Sequence, residues 1–266
     1  MLVKAKKSLG QNFLIDENIL TKIVNIGKIN SNTEVLEIGP GTGNLTEYIL
    51  KKNPKKFFVI EKDNSLADLL KKKFQKKIEI INSDVLKIDE NYIFKNKVTV
   101  FGNLPYNIST QILTKWINQI NNENFWFSKL ILMFQKEVAD RIVADVNSNK
   151  YGRLSILTNW KMKVNKVMDI EPENFFPKPK VKSSIVYFEP KNSFFNFNNP
   201  NNFEKVTNIF FQNKRKMIKK PLNILFQNSS KIINKLELDE KSRPQNLNPQ
   251  TFFKISKEFE NELTSN

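Results

Sequence analysis

From Glu34 onward the chain repeats one pattern, a short apolar strand followed by an amphipathic helix, and this alternation leaves few folds open. Glu34-Val35-Leu36-Glu37-Ile38 reads as a strand, Gly39 to Gly43 as a tight loop, and Asn44 to Lys52 as a helix. Strand patterns at Phe57 to Ile60, Ile78 to Ile81, Val98 to Phe101 and Leu130 to Phe134 alternate with helical patterns at Leu66 to Phe74, Ile108 to Ile117 and Val138 to Val146. The expected fold is α/β, a largely parallel sheet covered by helices. A capped helix from Asp16 to Gly27 precedes it, and Val164 to Ile170 with Val181 to Phe188 look like a closing antiparallel pair.

After Pro190 the pattern breaks. Lys191 to Pro200 is polar and dotted with phenylalanine, and reads as a linker. Phe203 to Phe211, Met217 to Phe226, Ile232 to Leu236 and Phe252 to Phe259 then keep helical spacing to the end. Two domains are expected, residues 1–190 with the sheet and 191–266 as a small all-α domain.

The chain has no cysteine and no histidine. Disulfides, thiolate or imidazole metal sites and any catalysis by Cys or His are thereby excluded, and no metal is expected. A net charge of +16 points to a polyanionic partner. The cations are nearly all lysine, however, in a chain rich in Asn, Ile and Phe, so charge alone weighs RNA binding and an AT-rich coding bias about equally. No apolar run approaches the roughly 18 residues of a membrane span, and a cytoplasmic monomer is expected.

The glycine loop runs Gly39-x-Gly41-x-Gly43, unlike the G-x-G-x-x-G of dinucleotide folds, and Glu37 stands just before it. A carboxylate there opposes a pyrophosphate but suits a cationic, zwitterionic ligand such as S-adenosylmethionine. Glu61 ends the second strand pattern, where an acid can accept both ribose hydroxyls. Asp84 follows the third, placed to accept from an adenine amine. Any one of these alone reads as a solvated strand-end acid; three at successive strand ends beside a glycine loop argue for a site.

Asn103-Leu104-Pro105-Tyr106 falls where the fourth strand meets its helix. An amine conjugated to a purine is a poor nucleophile because its lone pair is delocalised. Acceptors from Asn103 Oδ1 and the Leu104 carbonyl can hold both N–H bonds and localise that lone pair. Pro105 stiffens the turn and Tyr106 offers a stacking face. No general base is needed, since the amine becomes acidic once alkylated.

These segments resemble the ribosomal RNA adenine dimethyltransferases nearly end to end. Lys7 to Leu14 is similar to the family's cofactor-covering motif, Glu37 to Gly43 to its glycine loop and Asn103 to Tyr106 to its catalytic tetrapeptide. Gln135 to Ala139, Tyr151 to Ser155 and Phe175 to Ser183 are similar to further family segments. The resemblance implies a Rossmann-like class I methyltransferase domain with helices on both faces of its sheet. It implies S-adenosylmethionine contacts from Asn12, Leu14, Gly39, Glu61, Asp84 and Asn103, with Gln11 and Gly41 nearby. Phe175 would stack on the adenine opposite Tyr106, although its neighbours alone suggest a core aromatic beside a proline turn. Phe210 to Lys216 is similar to the basic helix start of the family's RNA-binding domain, with lysine at 214 and 216 where arginine is expected.

The implied reaction is N6,N6-dimethylation of two adjacent adenosines near the 3′ end of 16S rRNA in the small ribosomal subunit. Two alternatives stand beside it. An erythromycin-resistance type enzyme would act on 23S rRNA with nearly the same residues; Leu104 and the Arg243-Pro244-Gln245-Asn246-Leu247 segment argue against it. A non-catalytic assembly factor would have no need of Glu61, Asp84 and Asn103. A cytosine-C5 methyltransferase fails for want of a cysteine.

Overall fold

The computed structural model describes residues 11–121 and 125–265. By packing, the described residues up to Ala139 together with Lys163–Pro190 form one compact unit, and Asp140–Met162 with the residues from Lys191 onward form a second. The second unit is therefore discontinuous in sequence, and 140–162 do not group with the rest of 1–190. Among the described residues no helix is long and apolar enough to cross a membrane.

The first unit opens with β1 (Phe13–Leu14) and α1 (Glu17–Ile26). Asp16 caps α1, its carboxylate accepting from the Ile19 N–H at 2.9 Å. Gly27 follows in a right-handed conformation, so its value is space: a Cβ there would lie 2.4 Å from the Phe101 ring. Next come β2 (Glu34–Ile38), α2 (Asn44–Leu50), β3 (Lys56–Glu61), α3 (Asn64–Phe74), β4 (Glu79–Asn82) and the short α4 (Glu90–Ile93). They are followed by β5 (Val98–Asn103), α5 (Ser109–Gln119), β6 (Phe127–Gln135) and α6 (Lys136–Ile142).

Arg153–Lys161 forms α7, followed by β7 (Met162–Ile170), β8 (Phe175–Phe176) and β9 (Ser183–Pro190). Seven strands form one sheet in the order β4-β3-β2-β5-β6-β9-β7. The β4 to β6 half is parallel, and β9 runs antiparallel to β6. Every residue of β2 is buried, as a central strand covered on both faces requires.

Because the strands are parallel, their carboxyl ends share one edge. Ile38 lies level with both Ile60 and Gly102, and Glu61 with Asn82. A buried polar cluster ties the chain beyond β4 to α5: Glu90, fully buried, accepts from Lys115 Nζ (2.9 Å), Trp116 Nε1 (2.8 Å) and Gln119 Nε2 (3.1 Å). Lys115 also donates to the Val85 carbonyl at 2.7 Å, which holds the loop after Asp84 against α5.

The second unit contains α7, α8 (Pro200–Gln212), α9 (Lys219–Leu225), α10 (Ser229–Lys235) and α11 (Pro249–Ser265). From Lys191 onward no strand occurs among the described residues. The stretch read as a linker is built into this core. Trp160 Nε1 donates to the Phe195 carbonyl at 2.6 Å, and its ring packs against Phe197 and Phe203 with centroids 5.2 and 5.0 Å away. Phe203 in turn meets Phe253 at 5.5 Å. Tyr151 donates to the Leu247 carbonyl at 2.9 Å.

Candidate active site

The carboxyl edge of the parallel strands carries a cleft whose walls come from the glycine loop, the ends of β3 and β5, the loop after β4 and the residues just before β1. Gly39, Gly41 and Gly43 have φ of 64, 59 and 80°, left-handed conformations that glycine adopts without strain. A Cβ on Gly41 would stand 2.6 Å from the Phe13 ring, so the loop and the N-terminal segment can approach each other only because that side chain is missing.

Gln11, Asn12, Gly39, Gly41, Glu61, Asp84 and Asn103 to Tyr106 all line this cleft. Glu61 is nearly buried and fixed by two main-chain donors, Asp63 N–H at 2.8 Å and Gly41 N–H at 3.2 Å. Burial raises its pKa, against those hydrogen bonds. Asp84 shows the opposite shift: Lys62 Nζ at 2.8 Å holds its carboxyl below the usual range. Asp84 also accepts from the Leu86 N–H at 3.0 Å, which caps the turn after β4.

Glu37 and Leu14 lie one layer down. They border a smaller cavity, which Gly39 and Asn103 also line, and are not among the residues lining the cleft. Burial pushes Glu37 up to about 8, and its carboxyl accepts from Thr46 Oγ at 2.7 Å. Burial thus works against the charged form of a carboxylate that a cationic ligand nearby would favour.

Asn103 ends β5, and its amide nitrogen donates to the Asn12 carbonyl at 2.8 Å. Its Oδ1 is left as an acceptor. Leu104 is buried over Gly102, where a Cβ would lie 2.8 Å from Leu104 Cδ2. The Ile108 N–H donates to the Pro105 carbonyl at 3.1 Å and Ser109 Oγ to the Tyr106 carbonyl at 3.1 Å, closing the turn into α5. The Tyr106 hydroxyl and Ser183 Oγ share a hydrogen bond of 2.6 Å.

Phe175 is not among the residues that line the cleft with Tyr106. It is 3% exposed and belongs to the core cluster with Leu14, Met133, Ile170 and Ile185. The cause is a two-stranded ladder in which β1 pairs antiparallel with β8, Leu14 opposite Phe175 and Phe13 opposite Phe176. Side chains alternate along a strand, so Leu14 and Phe175 turn into the core while Phe13 and Phe176 share the other face. Phe13, Lys62 and Ser83 border the cleft without having been singled out from the sequence. Phe13 adjoins Asn12 in the motif, and Lys62 follows Glu61. The Lys7 to Gly10 part of the N-terminal motif lies outside the described residues.

An acceptor-lined turn at the carboxyl edge of a sheet of this order, facing a glycine loop and strand-end acids, defines a Rossmann-like class I methyltransferase. The methyl donor of this class is S-adenosylmethionine, and the left-handed glycines, with no Cβ to obstruct an approach, and the strand-end acids Glu61 and Asp84 fit it. The chain belongs to the ribosomal RNA adenine dimethylase family, whose model matches residues 2–261.

A relative from Pelagibacter ubique (strain HTCC1062), named ribosomal RNA small subunit methyltransferase A, is 58% identical over 260 residues, covering 98% of each chain. The crystal structure of a dimethyladenosine transferase from Plasmodium falciparum is similar with a TM-score of 0.78 and 30% identity, covering 94% of this chain and 98% of that one. The 23S rRNA methyltransferase ErmE shares the fold, with a TM-score of 0.68 and 20% identity over 93% of this chain and 99% of its own.

Proposed function

We propose that this protein dimethylates the N6 amines of two adjacent adenosines near the 3′ end of 16S rRNA within the small ribosomal subunit. In this reading it works as a monomer in the cytoplasm, needs no metal, and uses residues 1–190 for catalysis and 191–266 for binding RNA. One observation carries the chemistry: the Asn103 amide nitrogen is already engaged by Asn12, so Oδ1 is the atom offered to an incoming amine. The small-subunit target is supported by the name of the 58% identical relative. The 23S alternative has only the shared fold of ErmE behind it.

When bound, S-adenosylmethionine supplies an electrophilic methyl group on a cationic sulfur. Asn103 Oδ1 and the Leu104 carbonyl accept the two N6–H bonds and orient the nitrogen lone pair. Tyr106, its hydroxyl tethered to Ser183, stacks on the base, and Pro105 limits the turn's freedom. The alkylated nitrogen loses a proton to water, so no histidine is missed. Glu61 would hold the ribose hydroxyls of the cofactor and Asp84 its adenine amine, with Gln11, Asn12, Gly39 and Gly41 lining the same cleft. Glu37 and Leu14 support the glycine loop from beneath. Phe175 backs the base site from within the core.

In the second unit Arg215, Lys216, Lys219, Lys220 and Arg243 line one groove, which suits a phosphate backbone. Lys214 has another task, donating to the carbonyls of Asn149 (2.8 Å) and Tyr151 (3.1 Å). The reading is tested by incubating the protein with S-adenosylmethionine and undermethylated small subunits, then mapping dimethyladenosine by mass spectrometry. Two adjacent dimethylated adenosines near the 3′ end are expected. Equal methylation of free 23S rRNA would move the assignment to the large subunit, and no methylation would remove it.

A further inference from the structure

We infer that Phe176 is a stacking platform for a nucleotide flanking the target adenine, with Lys180 meeting the adjacent phosphate. The inference rests on the proposed reading of the site as one for an RNA adenine. A single exposed phenylalanine ordinarily needs no explanation. Phe176 is 58% exposed, and its place in the chain is what singles it out.

The loop from Phe176 to Lys182 is tethered at both ends to walls of the cleft. At one end Phe176 pairs across the two-stranded ladder with Phe13, which borders the cleft. At the other, Ser183 holds the hydroxyl of Tyr106, which also borders it. A loop this short, fixed at those two points, stays near the cleft. The strand alternation that sends Phe175 into the core sends Phe176 outward.

The chemistry of the loop matches a nucleic acid. Phe176-Pro177-Lys178-Pro179-Lys180-Val181-Lys182 carries three lysines and no carboxylate. Lys178 is paired with Glu173 and Lys182 with Glu171, whereas among the described residues Lys180 forms no ion pair. An exposed ring and an uncommitted ammonium group on one short loop form the combination that single-stranded RNA sites use, the ring for a base face and the cation for phosphate. Two prolines restrict the loop, so little ordering remains to be done on binding.

The test compares Phe176→Ala, Phe176→Leu, Phe176→Trp and Lys180→Ala in methylation of undermethylated small subunits, with cofactor affinity and thermal melting measured alongside. Phe176→Ala is expected to raise KM for the subunit about tenfold, with kcat within twofold and cofactor affinity and melting unchanged. Phe176→Trp should restore the wild-type KM and Phe176→Leu should not. Lys180→Ala should lower the salt slope of binding by about one ion. An unchanged KM in Phe176→Ala, or full rescue by Phe176→Leu, overturns the stacking role. A wild-type protein that methylates no RNA adenine overturns the underlying reading instead, so the two failures are separate.

Discussion

The side-chain amide of Asn103 donates to the main-chain carbonyl of Asn12 at 2.8 Å, joining the end of β5 to a residue 91 positions earlier. The same short N-terminal segment receives Asn44 Nδ2 on the Leu14 carbonyl at 2.8 Å and pairs with Phe175 and Phe176 through β1. The tetrapeptide, the glycine loop and the β8 loop are thus all referenced to residues 12 to 14. An error in that segment propagates to the tetrapeptide, the glycine loop and the β8 loop together.

Asn103→Ala removes the acceptor that orients the amine and should lower kcat by about a hundredfold or more, the scale seen when one preorganised hydrogen-bonding group is deleted from a site. Cofactor affinity should change much less. Single-turnover methylation and equilibrium dialysis with S-adenosylmethionine check the pair. Normal dimethyladenosine yield from the variant would end the role assigned to Asn103.

Tyr106→Phe and Ser183→Ala delete the two sides of one hydrogen bond of 2.6 Å. Each should reduce kcat/KM severalfold, and the double variant should be little worse than either, a coupling of about 1 kcal/mol. Strict additivity in the double-mutant cycle would show that the hydroxyls act independently.

Glu37, pushed up to about 8 by burial, makes stability fall with pH. Between its unfolded value, 4.5, and about 8 the folded state binds the extra proton, so stability declines as pH rises through that window and levels off above it. Glu37→Gln keeps an acceptor for Thr46 without an ionisable group. Its stability relative to wild type should improve from pH 5 to pH 8, by at most a few kcal/mol. Urea unfolding at pH 5, 6.5 and 8 measures this; a constant difference across the series would contradict it.

Glu90→Ala leaves Lys115 without its carboxylate partner and Trp116 Nε1 without its acceptor, in a site where Glu90 itself is fully buried. The cost should be about 3 kcal/mol or more. A urea midpoint within error of wild type would show that the cluster adds nothing.

The parallel half of the fold was legible because its buried strands are unbroken apolar runs and its helices keep one apolar face. Glu61, Asp84 and Asn103 could be placed because each comes within three residues of the end of a strand pattern. What escaped depends on distant partners. The helix α7 buries Ser155, Ile156, Thr158, Trp160 and Lys161, so it shows no one-sided stripe. Two-residue strands such as β1 and β8 are too short to have a period, and only their pairing decides that Phe175 turns inward. Lys191 to Pro200 looked like a linker because its phenylalanines are irregularly spaced; Trp160, one of the rings that pack on Phe197, lies across β7 to β9 in the sequence.

The discontinuity of the second unit sets an order on synthesis. Tyr151 and Trp160 leave the ribosome before β7, β8 and β9, yet the groups that cover them, Phe195, Phe197, Phe203 and Leu247, come only afterwards, and Phe253 on α11 completes the cluster near the chain's end. While the sheet is being finished, those two aromatics wait with their surfaces open, and a nascent chain stalled after Pro190 carries an exposed apolar face that its completed form conceals.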